Sequence, residues 1–192
     1  MIEYRVVGSA SRRGSIKHAT MAAMDSAEAA EAPRIPPLLQ RPLDILLIVC
    51  FVTFAFTSLV MEMYVVFDLD LHARPNDPFA KAWLLYASWD PLFFDNPMWL
   101  RIMCGIDAFV FGPFYLLLIP ALARGWNAIR VPALLYVSAI VYSTAVYFGY
   151  EFIVEAGRAN LTMVVLVNIP YTLMPLVLGW RMRKARPFDV AA

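Results

Sequence analysis

What most constrains this chain is a set of four long apolar runs: Ile45 to Phe67, Trp99 to Leu122, Pro132 to Val154 and Leu161 to Trp180. Each is close to the roughly 20 residues an α-helix needs to cross a bilayer core of about 30 Å. A backbone in hydrocarbon has to satisfy its own hydrogen bonds, so such runs fold as helices packed side by side. The expected fold is therefore an all-α membrane protein, a four-transmembrane-helix bundle. Composition agrees, since 61% of residues are hydrophobic and 16% charged, with a mean hydropathy of +0.62, outside the range of soluble domains. A net charge of +1 suggests no nucleic-acid partner. Cys50 and Cys104 sit inside apolar runs without ligand spacing, so neither a disulfide framework nor a metal site is expected, and no cofactor is implied.

Around the spans, residues 1–40 are rich in Ala, Ser and Arg and read as a disordered or loosely ordered leader. Residues 41–183 form the transmembrane domain, and 184–192 a basic tail suited to anionic lipid. The first connection, Asp68 to Met98, is long and contains "PFAKAWLLYASWDPLF", a Trp-rich segment that reads as an interfacial helix. The other connections are short, so consecutive spans are antiparallel. Four spans put both termini on one side. That side carries Arg34, Arg41, Arg124, Arg130, Arg181, Arg183, Lys184 and Arg186, against Arg74, Lys81, Arg101 and Arg158 opposite. The positive-inside rule then places both termini of a multi-pass protein in the cytoplasm, in the endoplasmic reticulum membrane of a eukaryote or the cell membrane of a bacterium.

With a rise of about 1.5 Å per residue, Glu62 lies roughly 7–8 Å below the non-cytoplasmic surface, Asp107 about 12 Å, and Tyr147 and Asn168 roughly 10–11 Å. Each span thus offers one polar group to a single layer. Tyr147 and Asn168 alone would read as hydrogen-bonding glue between helices. Two carboxylates at one depth, with no Lys, Arg or His inside the spans to neutralise them, require a shared proton or a cationic guest. Pro113, Pro120, Pro170 and Pro175 remove backbone donors and favour kinks that open space between helices. The expected result is an intramembrane ligand cavity lined by Tyr, Phe, Trp and Met, suited to a flat apolar molecule and, through ring faces, to a cation. Asp90, Asp95 and Asn96 also read as turn and cap residues, and Glu151 beside Tyr150 as a solvated interfacial residue.

The succession "LVMEMYVVF", "DPLFFDNPMWLRIMCGIDAFVFGPFYLLLIPALARG", "AIRVPALLYVSAIVYSTAVYF" and "NIPYTLMPLVL" resembles the EXPERA family, from about Arg41 to Arg183. The resemblance implies four helices around a cavity open to the bilayer, often in a homodimer, that accepts sterol-like or terpenoid lipids and cationic amphiphiles. It aligns Glu62 and Asp107 with the family's first- and second-helix acids and Asp90 with an aspartate that supports the site. Asn168 and Tyr171 fall where the sterol isomerase branch has residues near its substrate. That branch carries a histidine one turn before its first acid, and Ser58 stands there in this chain. The resemblance therefore leans toward the sigma-2 receptor branch. Binding and handling of a polycyclic lipid in an acidic pocket is the expected function. The alternative is a sterol or terpenoid isomerase or cyclase, with Glu62 and Asp107 as its catalytic acid and base.

Overall fold

The computed structural model describes residues 35–189; most of the expected leader and the last three residues of the tail lie outside the described residues. Among the described residues there are helices and turns and no strand. Four helices are long and apolar enough to cross a membrane: Pro42–Val66 (α1), Met98–Arg124 (α4), Asn127–Glu155 (α5) and Leu161–Arg181 (α6). The protein is a multi-pass membrane protein. Between α1 and α4 lie two shorter helices, Pro78–Trp89 (α2) and Leu92–Asp95 (α3).

Local chemistry explains where these helices begin and end. Proline occupies the first turn of α1 and of α2, where its missing N–H costs nothing. Asp77 caps α2 by accepting from the amides of Phe79 and Ala80 at 2.9 and 3.3 Å. α4 stops at Gly125, whose φ of 71° is the left-handed conformation that glycine adopts without a Cβ penalty. At the far end of α1 the last carbonyls are taken by side chains, Val65 by Asn96 at 3.1 Å and Val66 by Arg101 at 3.1 Å.

Packing is closest within two antiparallel pairs, α1 with α4 and α5 with α6. Near the chain termini the pairs merge in a large apolar core around Leu47, Phe51, Tyr115, Leu122, Tyr136 and Leu178. At the opposite end, on the side of the long loop, a smaller cluster of Val65, Leu92, Leu100, Cys104, Tyr147 and Val164 joins them again. Leu46, Val49, Phe109, Leu116, Leu135 and Leu173 face outward, as expected of helix surfaces solvated by lipid.

A buried ionic clasp closes the terminal end. Asp44, fully buried, accepts from Arg41 at 2.8 Å and Arg181 at 2.7 Å, while Arg41 also donates to the carbonyls of Leu122 and Ala123 at the end of α4. Phe188 lies under both guanidinium groups, 4.6 Å from Arg181 and 5.6 Å from Arg41. The described part of the basic tail is thus docked on the bundle.

Candidate functional site

Three spans depart from α-helical winding, two of them between the packed ends and one at the loop end, and each departure involves a carboxylate. In α1, Thr57–Met61 forms a π turn whose closing amide, that of Glu62, reaches back five residues to the Thr57 carbonyl at 2.9 Å. The Val65 amide then turns to Glu62, which leaves the Met61 carbonyl without its helical donor; the Trp83 indole of α2 supplies one at 2.7 Å. In α4 a second π turn, Asp107–Phe111, precedes Pro113, which has no N–H to continue the ladder. The third, Glu151–Glu155, ends α5. Such widened turns re-aim side chains and recur at functional sites. The first two turns press on one another through Gly112: a Cβ there would meet Leu59 Cδ2 at 2.6 Å.

The result is a carboxylate pair. Glu62 faces Asp107, and Ser58, fully buried one turn before Glu62, lies beside Asp107. Tyr115 donates its hydroxyl to Asp107 at 3.2 Å and meets the Tyr136 hydroxyl at 3.1 Å. Glu62 Oε2 is buried and has no hydrogen-bond partner. No cation among the described residues faces the pair. Two carboxylates in this position cannot both stay ionised alone, so they hold a proton between them or the positive charge of a guest.

Glu62 and Asp107 line a cavity of about 620 Å³, as do Tyr147, Asn168 and Tyr171. One site thus receives a polar side chain from all four spans. Tyr171 donates to Thr57 Oγ1 at 2.9 Å and stacks on Phe54 at 4.3 Å, which bridges α6 to α1 across the cavity floor. The rest of the wall is mostly apolar and aromatic, including Trp83, Phe93, Trp99 and Phe111, with the hydroxyl residues Thr57, Ser143 and Thr144 among its lining. Ile102 and Ile106 of α4 and Tyr142 and Val146 of α5 line the cavity and are also exposed on the outer surface. The mouth therefore opens sideways between α4 and α5. Trp99 against Tyr150, at 4.9 Å, bounds it toward the loop end, and Phe111 against Tyr136, at 5.2 Å, toward the terminal end.

Asp90 does not line the cavity. It is fully buried behind it, where it accepts from Tyr147 at 2.5 Å, Tyr86 at 3.0 Å and the Leu92 amide at 3.2 Å. Burial pushes its carboxyl above the usual aspartate range, against the pull of those hydrogen bonds. Asn168 joins the cluster by donating to Tyr86 at 2.7 Å. Glu151 differs from the solvated residue expected of its sequence position: it is fully buried, because the turn between α2 and α3 folds over the end of α5 and brings Asp90 against it. Asp95 and Asn96 sit on the loop surface, Asp95 paired with Arg158 and Asn96 held on Asp68 at 2.7 Å. Tyr86, Tyr115, Tyr136 and Glu151 are the polar neighbours that sequence reasoning missed.

A family model, EXPERA (EXPanded EBP superfamily), matches residues 76–182, more than half of the chain. The chain belongs to this family. The match spans α2 to the end of α6 and includes Asp90, Asp107, Tyr147, Asn168 and Tyr171. Glu62 and Ser58 precede the matched residues, so in this EXPERA chain the first half of the carboxylate pair rests on geometry alone. No curated protein matches the chain.

Proposed function

We propose that this EXPERA protein binds a sterol-like or other polycyclic lipid, or a cationic amphiphile, between its two helix pairs. Such a guest would reach the site from the bilayer, and the protein would handle or traffic it. One observation carries this reading: two adjacent carboxyls with an unpartnered oxygen face a mostly apolar, aromatic cavity and no cation among the described residues. A guest ammonium would complete the pair, and a guest hydroxyl could occupy the free Glu62 oxygen. Flat rings suit the indole and phenyl walls. Ser58 in place of a histidine favours binding over chemistry, as in the sigma-2 receptor branch, and a homodimer would be in keeping with that branch.

Glu62→Gln and Asp107→Asn test the reading. Losing one partner of a buried charge pair costs about 2–5 kcal/mol, so binding of a radiolabelled cationic amphiphile should weaken roughly a hundredfold in each variant. Unchanged binding in both would sink it.

A second reading, an isomerase or cyclase acting on a sterol or terpenoid, is favoured by the hydroxyl pair Tyr136–Tyr115 hydrogen-bonded to Asp107. With one carboxyl protonated and one ionised, the site has an acid and a base to add a proton to a double bond and remove another. Incubation of the purified protein with candidate polyenes in deuterated water would then place deuterium in a product. Its absence from every product, in preparations that bind the polyene, excludes the enzyme.

A further inference from the structure

Among the described residues, Glu151 is the fully buried carboxyl with neither oxygen partnered by a hydrogen bond, and the binding site does not explain it. We propose that Glu151 and Asp90 hold one proton between them and that Tyr147 and Tyr86 pass it to the cavity wall, giving the cavity a second acid at its loop end.

The groups around Glu151 leave a proton as its partner. From the α2–α3 turn it faces Asp90; from its own helix it faces Glu155; from the connection after α5 comes Arg158. Arg158 is already engaged by Glu155 and by Asp95. Asp90, for its part, accepts from Tyr147, Tyr86 and the Leu92 amide. A carboxylate with three such donors is satisfied while ionised, so the resting proton sits on Glu151. Backbone geometry points the same way. Glu62 closes one π turn, Asp107 opens another, and Glu151 opens the third, so every π turn among the described residues carries a carboxylate at its boundary.

A hydrogen-bonded path leads from the pair to the cavity. Tyr147 and Tyr86 both reach Asp90, their hydroxyls meet at 2.9 Å, and both rings line the cavity. Asn168 donates to Tyr86 at 2.7 Å, which holds that phenol in place. When a basic guest takes the Tyr86 proton, Tyr86 recovers one from Tyr147 and Tyr147 from the Glu151–Asp90 pair. The guest ends one unit more positive and the pair one unit more negative, with every phenol restored. Departure of the guest reverses the steps. Holding the proton is a property of the protein alone, whereas its use against a guest rests on the binding reading above.

The test needs no guest. Infrared spectra of the full chain in lipid nanodiscs at neutral pH, followed during exchange into deuterated water, should contain a protonated-carboxyl C=O band that persists in the Glu62→Gln/Asp107→Asn double variant. Labelling glutamate with ¹³C in that background should shift the band without altering any further residue, and Glu151→Gln should abolish it. In Tyr86→Phe/Tyr147→Phe the band should remain but exchange at least roughly tenfold more slowly, because both phenol links to Asp90 are gone and a single lost hydrogen bond supplies that factor. A double variant with no such band, a band that ignores the glutamate label, or one retained in Glu151→Gln overturns the proton site. An unchanged exchange rate in the phenylalanine variant overturns the path. Loss of amphiphile binding would leave these results untouched, so the two ideas fail separately.

Discussion

The protein contains two pairs of acidic side chains that differ in what surrounds them. Glu62 and Asp107 sit at the waist of the bundle with one face open to a cavity and a carboxyl oxygen to spare. Asp90 and Glu151 sit at the loop end, sealed from the cavity by two tyrosines, and Asp90 accepts hydrogen bonds from three directions. The same chemical group therefore does opposite work in the two places. Each pair has unpartnered carboxyl oxygens, Glu62 Oε2 at the waist and both oxygens of Glu151 at the loop end, but only at the waist do the carboxyls line the cavity. Neither burial nor the inventory of donors separates these cases; access to the cavity does.

Substitution should separate the pairs by what is lost. Asp90→Ala strips three donors of their acceptor and detaches the α2–α3 turn from α5, an expected loss of about 3 kcal/mol read from unfolding in detergent. Glu62→Gln or Asp107→Asn should leave that midpoint nearly unchanged, because the amide supplies a donor where the shared proton stood and no protein donor loses its acceptor through Glu62 Oε2. A stability loss as large as that of Asp90→Ala would erase the distinction. Next in size is the backbone contact that holds the waist. Gly112→Ala drives a methyl into Leu59 and should cost about 1–3 kcal/mol, as overpacking does, with part of the loss recovered when Leu59→Ala is added. Smaller still, Trp83→Phe removes the donor to the Met61 carbonyl behind Glu62, for about 1 kcal/mol.

Acidity sharpens the contrast among loop aspartates. Asp90 is raised by burial, so its contribution to stability is complete below the ordinary aspartate value of about 3.9 and is lost as pH climbs through its higher folded value. Asp77 is lowered by the Tyr64 hydroxyl and the α2 amides it caps, so its contribution is present above about 3.9 and lost as pH falls through its lower folded value. Unfolding midpoints against pH should therefore flatten in opposite directions in Asp90→Asn and Asp77→Asn, and slopes of the same sign would contradict the assignment.

The four spans were legible because hydrocarbon imposes a length and an apolar composition that no other fold shares. The waist pair was legible for a related reason: an acid inside such a run has a depth, and Glu62 and Asp107 share theirs. Depth fails, however, where chain from outside the spans folds back. Glu151 lies near the end of α5, where a one-dimensional count places water, yet the α2–α3 turn covers it. Tyr86 belongs to that covering segment and carried only the signature of a helix, while Asp90 stood out from a turn residue through the family resemblance alone. Tyr115 and Tyr136 were deep but aromatic, and a tyrosine ring in a membrane core looks like packing until its hydroxyl is seen to meet an acid. Nor does composition announce a π turn, since the extra residue is visible only in the hydrogen-bond ladder.

If the proposed guest enters by the sideways mouth between α4 and α5, concentration takes a different meaning for this protein. A molecule that enters from the bilayer is presented at its density in the membrane, set by its own partitioning, and not at its level in water. Occupancy then follows mole fraction among lipids, and a weak site can be full whenever its guest is strongly hydrophobic. Ranking guests by aqueous affinity would largely rank their greasiness. Selectivity belonging to the protein would be what remains after membrane partitioning is divided out, and under the proposed reading that remainder would rest on the polar side chains of the cavity wall.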